Sequence, residues 1–249
     1  MRKPLGYLYL TIGVTIAVPV TGIAQDREVS WTGLLPNILE DQQSMWTFPG
    51  RLDRPKDFVP TLVVAGVAAA LFLAADPPAA HYFRNSGQFG DFNNVFSSSN
   101  TSIAPVVAPA ALLLTGWITK DKKMRDTALF SAEAVADAEI MATGLKAATG
   151  RERPSSIDPH SGFGDSFWEG KSGLNAGSFP SGHTIAAFSV ATIVSRRYGK
   201  QHRWVSVASY GVATAVGFSR LSLSAHFTSD VFMGAVLGYS ISRFTVLHE

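Results

Sequence analysis

Six apolar segments, each long enough for several turns of helix, restrict the fold of this chain more than any other feature. Polar and turn-forming residues separate them, and none shows the alternation of apolar and polar residues typical of a half-buried strand. The segments are residues 60–75, 103–119, 125–149, 184–198, 204–218 and 230–247. This pattern predicts an all-α protein folded as a compact helical bundle.

The clearest predicted helix is Arg125–Thr149. It is rich in alanine and lacks proline, Asp126 lies near its start, and Gly150 follows where a helix would stop. Lys146 then falls in its last turn.

The connections are less regular. Pro105 and Pro109 interrupt the segment 103–119, so we expect its helix to begin after the second proline. Residues 26–58 predict an irregular or short-helical lead-in. Residues 79–101, rich in Gly, Asn and Ser, predict a loop.

The amino terminus has the pattern of a secretory signal. Arg2 and Lys3 precede the apolar stretch Leu5–Val20, and the small residues Gly22 and Ala24 occupy the positions that a signal peptidase requires for cleavage after Ala24. We therefore expect an exported protein.

Residues 1–24 are accordingly predicted to be a signal peptide, and residues 25–249 a single domain with its core at about 60–247. The mature protein would be periplasmic or secreted. An uncleaved membrane anchor is the alternative, because residues 5–24 match the roughly 20 residues of helix that span a bilayer.

Charge and cysteine content exclude several functions. The formal net charge is +2, and residues 1–24 hold two cations and no acid, so their removal leaves a formally neutral chain. No cluster of Lys and Arg remains to bind a polyanion, and we expect no nucleic-acid partner. The absence of cysteine excludes disulfides, thiol catalysis and Cys-ligated metal.

Three short segments carry the residues that indicate a function. They gather three cations, two imidazoles, a carboxylate and a Ser-Gly turn. Phosphoryl transfer needs neutralised phosphate oxygens, an in-line nucleophile and a proton for the leaving group, which is what such a set supplies. The segments are Lys146 with Arg153-Pro154, then Pro180-Ser181-Gly182-His183, then Ser219-Arg220 with His226 and Asp230.

Spacing suggests how some of these residues act. Ser181 precedes an apolar helical run as an N-cap would, and Gly182 lets the backbone approach an anion closely. His226 and Asp230 are four residues apart, which predicts one face of a helical turn and a hydrogen bond between them. The carboxylate would then hold one ring nitrogen protonated and leave the other free as a nucleophile.

The three segments match K-x6-R-P, P-S-G-H and S-R-x5-H-x3-D at every position. In this the chain resembles the type 2 phosphatidic acid phosphatase (PAP2) superfamily, which includes bacterial acid phosphatases and vanadium haloperoxidases. The signature spans residues 146–230, about a third of the chain.

The resemblance implies a helical bundle of the PAP2/haloperoxidase type with the active site at one end. It assigns His226 as the nucleophile that forms a phosphohistidine, His183 as the general acid and Asp230 as the residue that orients His226. The phosphate-binding residues that it implies are Lys146, Arg153, Ser181, Gly182 and Arg220.

We therefore expect a phosphatase that hydrolyses phosphate monoesters, either of small molecules or of lipids, lipid pyrophosphates included, with no metal and no cofactor. A membrane-associated lipid phosphatase of the same family is the alternative. A vanadium haloperoxidase is less favoured because those chains are typically much longer, and a non-catalytic anion-binding scaffold is disfavoured by the complete set of His183, His226 and Asp230.

The charges on Arg125–Thr149 bear on whether the protein spans a membrane. Glu139 lies on the same face as Lys146, whereas Glu133 and Asp137 lie on the opposite face. A carboxylate facing lipid costs a few kcal/mol, so charges on both faces favour a soluble exported domain. The apolar runs after residue 183 are also shorter than a bilayer requires.

The remaining residues of interest lie in the long connection 151–182. His160, Phe163, Phe167, Trp168 and Phe179 either cover the site or pin the connection to the bundle, and the sequence does not separate these alternatives. The other histidines, His81, His202 and His248, are expected to be surface residues.

Overall fold

The structure, a computed structural model, describes residues 29–51, 55–158, 163, 166–167 and 177–248. The predicted signal peptide lies outside these residues. So do His160 and Trp168.

The described residues are mostly helical and contain no strand, which confirms the predicted all-α class. A π-helical turn, Leu71–Ala75, joins α2 to α3, and a second, Ile241–Val246, continues α9. Short 3-10 turns lie at Phe48–Arg51 and Pro154–Ser156. The helices are α1 Leu34–Thr47, α2 Pro55–Ala70, α3 Asp76–Asn85, α4 Gly90–Val95, α5 Ser98–Ile118, α6 Lys122–Thr149, α7 Gly182–Tyr198, α8 Arg203–Ser222 and α9 Thr228–Ser240.

Helix α7 lies at the centre of the bundle, packed against α6, α8 and α9, and α5 packs against α6 and α7. Met141, Leu145, Ile185, Met233 and Leu237 are fully buried between these helices. Burial of such side chains is the main favourable term in folding. The core therefore aligns the ends of α6, α7 and α9, where the predicted site residues lie.

Helices α7 and α9 approach each other more closely than ordinary side chains allow. A Cβ atom on Gly238 would lie 2.3 Å from the carbonyl oxygen of Ile185, and one on Gly234 would lie 2.9 Å from that of Ser181. Glycine at these positions lets the two backbones touch, which brings the first turn of α9 against the first turn of α7.

The prediction for the second apolar segment was wrong. Helix α5 begins at Ser98, inside the predicted loop, and runs through both Pro105 and Pro109. The hydroxyl of Ser97 accepts a hydrogen bond from the backbone N–H of Asn100 and so caps the helix start at 3.2 Å. Both prolines are buried, and tertiary packing of this kind commonly outweighs local helix preference.

The predicted loop 79–101 also contains helix before α5. Helix α3 begins at Asp76, and Pro77 and Pro78 occupy its first turn, where a missing backbone N–H has no partner to lose. The Asp-Pro-Pro sequence therefore starts a helix here and does not end the apolar segment that precedes it.

Helix α1 covers Glu133 and Asp137, the carboxylates on which the expectation of a soluble protein depended. Glu133 and Asp137 are fully buried. The side-chain amide of Asn37 donates to Glu133 at 3.4 Å, and that of Gln42 donates to Asp137 at 2.9 Å. These carboxylates face α1 and neither water nor lipid, so they no longer count against a membrane.

The outer surface of the bundle is strongly apolar. On α1, Leu35 and Leu39 are 66% and 63% exposed, while Asp41 is only 2% exposed. Two stretches, Phe58–Asn85 and Ser98–Ile118, are long and apolar enough to cross a membrane, with mean hydropathy of 2.3 and 1.6. Only 11% and 22% of their most apolar windows are buried in the protein, so most of this apolar surface faces outward.

Candidate active site

Lys146 reaches the site from the last turn of α6. Helix α6 stops at Gly150, whose φ of 57° lies in the left-handed region that favours glycine. A Cβ atom on Gly182 would lie only 3.1 Å from Lys146 Nζ, so the amine rests against the start of α7. Burial lowers the pKa of Lys146, opposed by Glu139, and Arg153 lowers it further.

Arg220 lies in the last turn of α8 and is almost fully buried. Its guanidinium donates to the backbone carbonyl of Phe96 at 2.7 Å and to the hydroxyl of Ser98 at 3.2 Å. Burial, and then the charge of Arg153, lower the pKa of Arg220 to about 10, so it stays cationic at neutral pH. The start of α5, predicted to be a loop, therefore belongs to the site.

His183 lies in the first turn of α7 and also contacts α5. Its Nε2 atom is 2.7 Å from the hydroxyl of Ser102 and 3.3 Å from the carbonyl of Ser98. Burial, followed by the charge of Arg220, lowers the pKa of His183 to about 4. The ring is therefore neutral at neutral pH while the site holds no anion.

His226 precedes α9 and is almost fully buried. Its Nδ1 atom lies 2.7 Å from the backbone carbonyl oxygen of Ser178. Because a carbonyl only accepts hydrogen bonds, Nδ1 carries the proton and Nε2 is left unprotonated. Burial lowers the pKa of His226, which keeps the ring neutral.

Asp230 does not make the hydrogen bond that the spacing predicted. Its Oδ2 atom is 3.8 Å from His226 Nδ1 and instead accepts from the backbone N–H of Phe227 at 2.9 Å and from the hydroxyl of Ser178 at 2.5 Å. The i,i+4 geometry requires that both residues be helical, whereas α9 begins only at Thr228. His226 therefore lies outside the turn that was expected to pair it with Asp230.

Arg151 also belongs to the site, although no sequence pattern predicted it. It lies between Lys146 and Arg153, is fully buried, and pairs with Asp230 Oδ1 at 2.5 Å and with Asp76 Oδ2 at 2.7 Å. No local sequence pattern distinguishes a buried arginine from a surface one here, because both acidic partners lie more than seventy positions away in the chain.

The charge of Arg151 determines the protonation state of Asp230. Burial alone would raise the pKa of this carboxyl, but Arg151 and hydrogen bonds, including that from Ser178, bring it down to about 2. Asp230 is therefore ionised at every pH at which the protein would be assayed.

Ser181 is the N-cap residue of α7, as predicted, but its side chain does not cap the helix. Its hydroxyl accepts from the hydroxyl of Thr184 at 2.8 Å, and its backbone N–H donates to the carbonyl of Asp230 at 3.1 Å. The second bond ties the start of α7 to the start of α9.

All eight residues predicted for the site lie at one end of the bundle. Lys146 ends α6, Gly182 and His183 begin α7, and Arg220 lies near the end of α8. Arg153 lies at the same end, because a backbone hydrogen bond ties its segment to the residues after Arg220. The backbone N–H of Ser155 donates to the carbonyl of Ser224 at 3.0 Å.

A family model described as "PAP2 superfamily" matches residues 127–248, which include every one of these positions. Residues 127–248 therefore belong to the PAP2 superfamily.

Two curated relatives of this PAP2 chain are both named lipid A 1-phosphatase. The protein from Porphyromonas gingivalis is 44% identical over 71 residues, 28% of this chain and 16% of the relative. That from Rhizobium johnstonii is 33% identical over 111 residues, 43% of this chain and 42% of the relative. The chain thus spans less than half the length of the curated relatives that it matches.

Among solved structures, the chain is similar to a transmembrane PAP2-type phosphatidylglycerolphosphate phosphatase from Bacillus subtilis. The identity is 18% and the TM-score 0.42, over 86% of this chain and 92% of that one.

The aromatic residues described between the first two PAP2 segments pin the connection to the bundle. Phe163 packs on Phe227, with ring centroids 6.1 Å apart, and Phe167 packs on Phe72 of the first π-helical turn at 5.4 Å. Phe167 and Phe179 are buried. For these residues the structure favours anchoring over a cover for the site.

Proposed function

We propose that this chain hydrolyses phosphate monoesters of membrane lipids through a phosphohistidine intermediate on His226. The observation that carries the proposal is the hydrogen bond from His226 Nδ1 to the carbonyl of Ser178, which leaves Nε2 unprotonated in a site that gathers three cations. An unprotonated imidazole nitrogen among fixed positive charges suits attack on a phosphate.

The cations would bind the phosphate oxygens. Arg153 can grip two oxygens through a planar guanidinium, whereas Lys146 acts as a point charge. At Arg220, Nε and Nη2 donate to Ser219 and Phe96, so a phosphate oxygen would bind to the second N–H of Nη1. The first backbone N–H groups of α7, next to Gly182, are free to bind a further oxygen, and the helix dipole favours negative charge there.

The reaction then proceeds in two displacements. His226 Nε2 bonds to phosphorus as the bond from phosphorus to the leaving oxygen breaks, and His183 gives that oxygen a proton. A water molecule then loses a proton to His183 and bonds to phosphorus as the Nε2–P bond breaks, which releases phosphate. The charge of a bound phosphate would oppose Arg220 and raise the pKa of His183, so the acid becomes protonated as substrate binds.

An apolar groove beside this site supports a lipid substrate. It encloses about 320 Å³ between α5, α7 and α8. Ala187 in its wall is one turn from His183, Val216 is one turn from Arg220, and Thr101 precedes Ser102. A lipid with its phosphate in the site could therefore lay an acyl chain along the groove. The lining is Thr101, Ala104, Pro105, Ala108, Ala187, Val190, Ala191, Val194, Ala208, Ser209, Val212, Ala213 and Val216.

The outward apolar surface supports a position in the membrane. We infer that Phe58–Asn85 and Ser98–Ile118 cross the bilayer, with the active site at one membrane surface. The names of the two curated relatives, lipid A 1-phosphatase, agree with a phosphorylated lipid as substrate.

Positive charge at the end of the bundle opposite the active site indicates which membrane surface carries the site. The connections from α5 to α6 and from α7 to α8, together with the helix turns on either side of them, are rich in cations, and segments of that kind stay on the cytoplasmic side. The active site would then face outward, in keeping with the export predicted from the amino terminus. These cations are Lys120, Lys122, Lys123, Arg125, Arg196, Arg197, Lys200 and Arg203.

The test is phosphate release by the full chain in detergent micelles from phosphatidic acid, a phosphorylated glycolipid and p-nitrophenyl phosphate. We expect His226→Gln to fall below about a thousandth of the starting rate, because the nucleophile is lost. The exposed His202 provides the matched control, and His202→Gln should retain full activity.

Substrate preference separates the alternatives. Faster turnover of the two lipids than of p-nitrophenyl phosphate supports a lipid phosphatase, whereas activity on the small ester alone indicates a broad-specificity phosphatase. If no ester is hydrolysed, or if His226→Gln stays active, the proposed function is wrong.

A further inference from the structure

The buried contacts behind His226 suggest roles that the signature residues do not include. Ser178 is fully buried and held at three points. Its backbone N–H donates to the carbonyl of Arg151 at 2.6 Å, its hydroxyl donates to Asp230 at 2.5 Å, and its carbonyl accepts from His226 Nδ1 at 2.7 Å. The group that accepts the ring proton is therefore the carbonyl of Ser178. Asp230 bonds to the hydroxyl of the same residue, while its Oδ2 atom lies 3.8 Å from Nδ1.

We propose that Ser178 is a positioning residue that sets the tautomer of His226, and that Arg151 and Asp76 act on His226 through Asp230. The inference rests on the proposed function, because a fixed tautomer matters only if Nε2 is the nucleophile.

Several further contacts hold the guanidinium of Arg151 in place. Besides its two carboxylate partners, it donates to the hydroxyl of Ser229 at 2.8 Å and to that of Ser166 at 3.1 Å. Its guanidinium carbon lies 3.9 Å from the ring centroid of Phe227. Asp76 in turn accepts from the backbone N–H of Ser229 at 2.8 Å. The network thus ties α3, the segment after α6 and the first turn of α9 into one rigid unit.

The charges of this unit favour the phosphorylated state of the ring. Asp230 carries a negative charge because, although burial opposes ionisation, Arg151 lowers the pKa of this carboxyl. When Nε2 bonds to phosphorus and Nδ1 keeps its proton, the ring of His226 becomes cationic. Asp230 Oδ2 lies 3.8 Å from Nδ1, and in a buried site an opposite charge at that distance stabilises the cation strongly.

The test compares Ser178 with a fully buried serine outside this network. Ser178→Ala removes the bond to Asp230 and keeps the backbone carbonyl, whereas Ser131→Ala removes a bond to the carbonyl of Thr127 within α6. For Ser178→Ala we expect kcat to fall about tenfold to a hundredfold while KM stays within about threefold, because the phosphate-binding cations are untouched. Ser131→Ala should keep kcat within about threefold.

Vanadate provides a readout that a purely structural role would not change. It bonds to an unprotonated ring nitrogen in the geometry of a phosphoryl group in transfer, whereas inorganic phosphate binds through the cations alone. Direct titration of both anions needs no turnover and no known substrate. In Ser178→Ala and Arg151→Met we expect vanadate affinity to fall about tenfold or more and phosphate affinity to change little.

Arg151→Lys keeps one positive charge between the two carboxylates and should recover part of the vanadate affinity that Arg151→Met loses. The inference is wrong if Ser178→Ala matches Ser131→Ala in both kcat and vanadate affinity, or if Ser178→Ala and Arg151→Met lose phosphate and vanadate affinity equally. Failure of the proposed function looks different, since the starting protein would then release no phosphate from any ester.

Discussion

At the scale of single residues, the two histidines of the site have different surroundings and so suit different roles. His226 has one ring nitrogen committed to the carbonyl of Ser178. His183 Nε2 instead lies 2.7 Å from the hydroxyl of Ser102, which can donate or accept, and at the longer distance of 3.3 Å from the carbonyl of Ser98. A nucleophile needs a fixed tautomer, whereas a general acid has to gain and lose a proton.

The pKa of His183 predicts the pH dependence of the reaction. Since its pKa is lowered to about 4 in the free protein, the protonated acid becomes scarcer as pH rises from 5 to 8, and kcat/KM should fall over that range. A bound phosphate raises this pKa, so the basic limb of kcat should lie at higher pH than that of kcat/KM. Rate profiles at saturating and limiting substrate measure both limbs.

The matched variant is His183→Gln, which should lose most of its activity. The activity that remains should vary with pH only as the substrate itself ionises. A kcat/KM that rises steadily through pH 8 in the unmodified protein would exclude His183 as the acid.

At the scale of elements, α5 does more than the sequence suggested. Its first turns supply Ser98 to Arg220 and Ser102 to His183, and its next turns form one wall of the apolar groove. One helix therefore contacts both the phosphate site and the place proposed for an acyl chain. Changes along α5 should separate the two functions.

Filling the groove from α5 should impair the enzyme on long-chain lipids only. Ala108 is exposed and lines the groove, so Ala108→Phe can occupy it without crowding a closed core. We expect kcat/KM for long-chain phosphatidic acid to fall about tenfold, while that for p-nitrophenyl phosphate stays unchanged. Steady-state kinetics in micelles measures both.

Ala110→Phe is the control, because Ala110 lies on the same helix, is exposed and does not line the groove. If the Ala108 and Ala110 variants lose lipid activity equally, the groove does not hold the acyl chain.

At the scale of the whole molecule, apolar side chains fill the core and also cover much of the outer surface, while several carboxylates are buried. Carboxylates such as Asp41, Glu133 and Asp137 are buried, while Leu62, Val107 and many other apolar side chains are exposed on the outer faces of the helices. Exposed apolar surface that continues along several helices is unfavourable in water and favourable in lipid.

The absence of cysteine permits a direct test of the proposed membrane position, since single-cysteine variants have no background. With a membrane-impermeant maleimide, Gly87→Cys at the site end should react in intact cells and Lys122→Cys at the other end only after lysis. Val107→Cys, 52% exposed on the middle of α5, should react only in detergent.

Each variant tests a different part of the proposal. If Val107→Cys reacts in intact membranes as fast as the other two, the bundle is not embedded. If Lys122→Cys reacts in intact cells and Gly87→Cys does not, the orientation is reversed.

Much of the fold and the site was predictable because it depends on local properties of the chain. Helix α6 and its stop at Gly150 follow from composition and from the conformational freedom of glycine. The clustering of Lys146, His183 and Arg220 follows from their place at the ends of predicted helices. The predicted start of α5 was wrong, because packing and the cap at Ser97 outweigh the tendency of Pro105 and Pro109 to end a helix.

What the sequence determined by itself was the set of chemical groups at the site and the helices that carry them, since both depend on residue type and short spacing. Tertiary structure alone decided the partners of those groups. The proton of His226 is held by Ser178, 48 positions away, and Asp137 is covered by Gln42, 95 positions away. Contacts of this kind depend on how helices pack, and no local pattern records them.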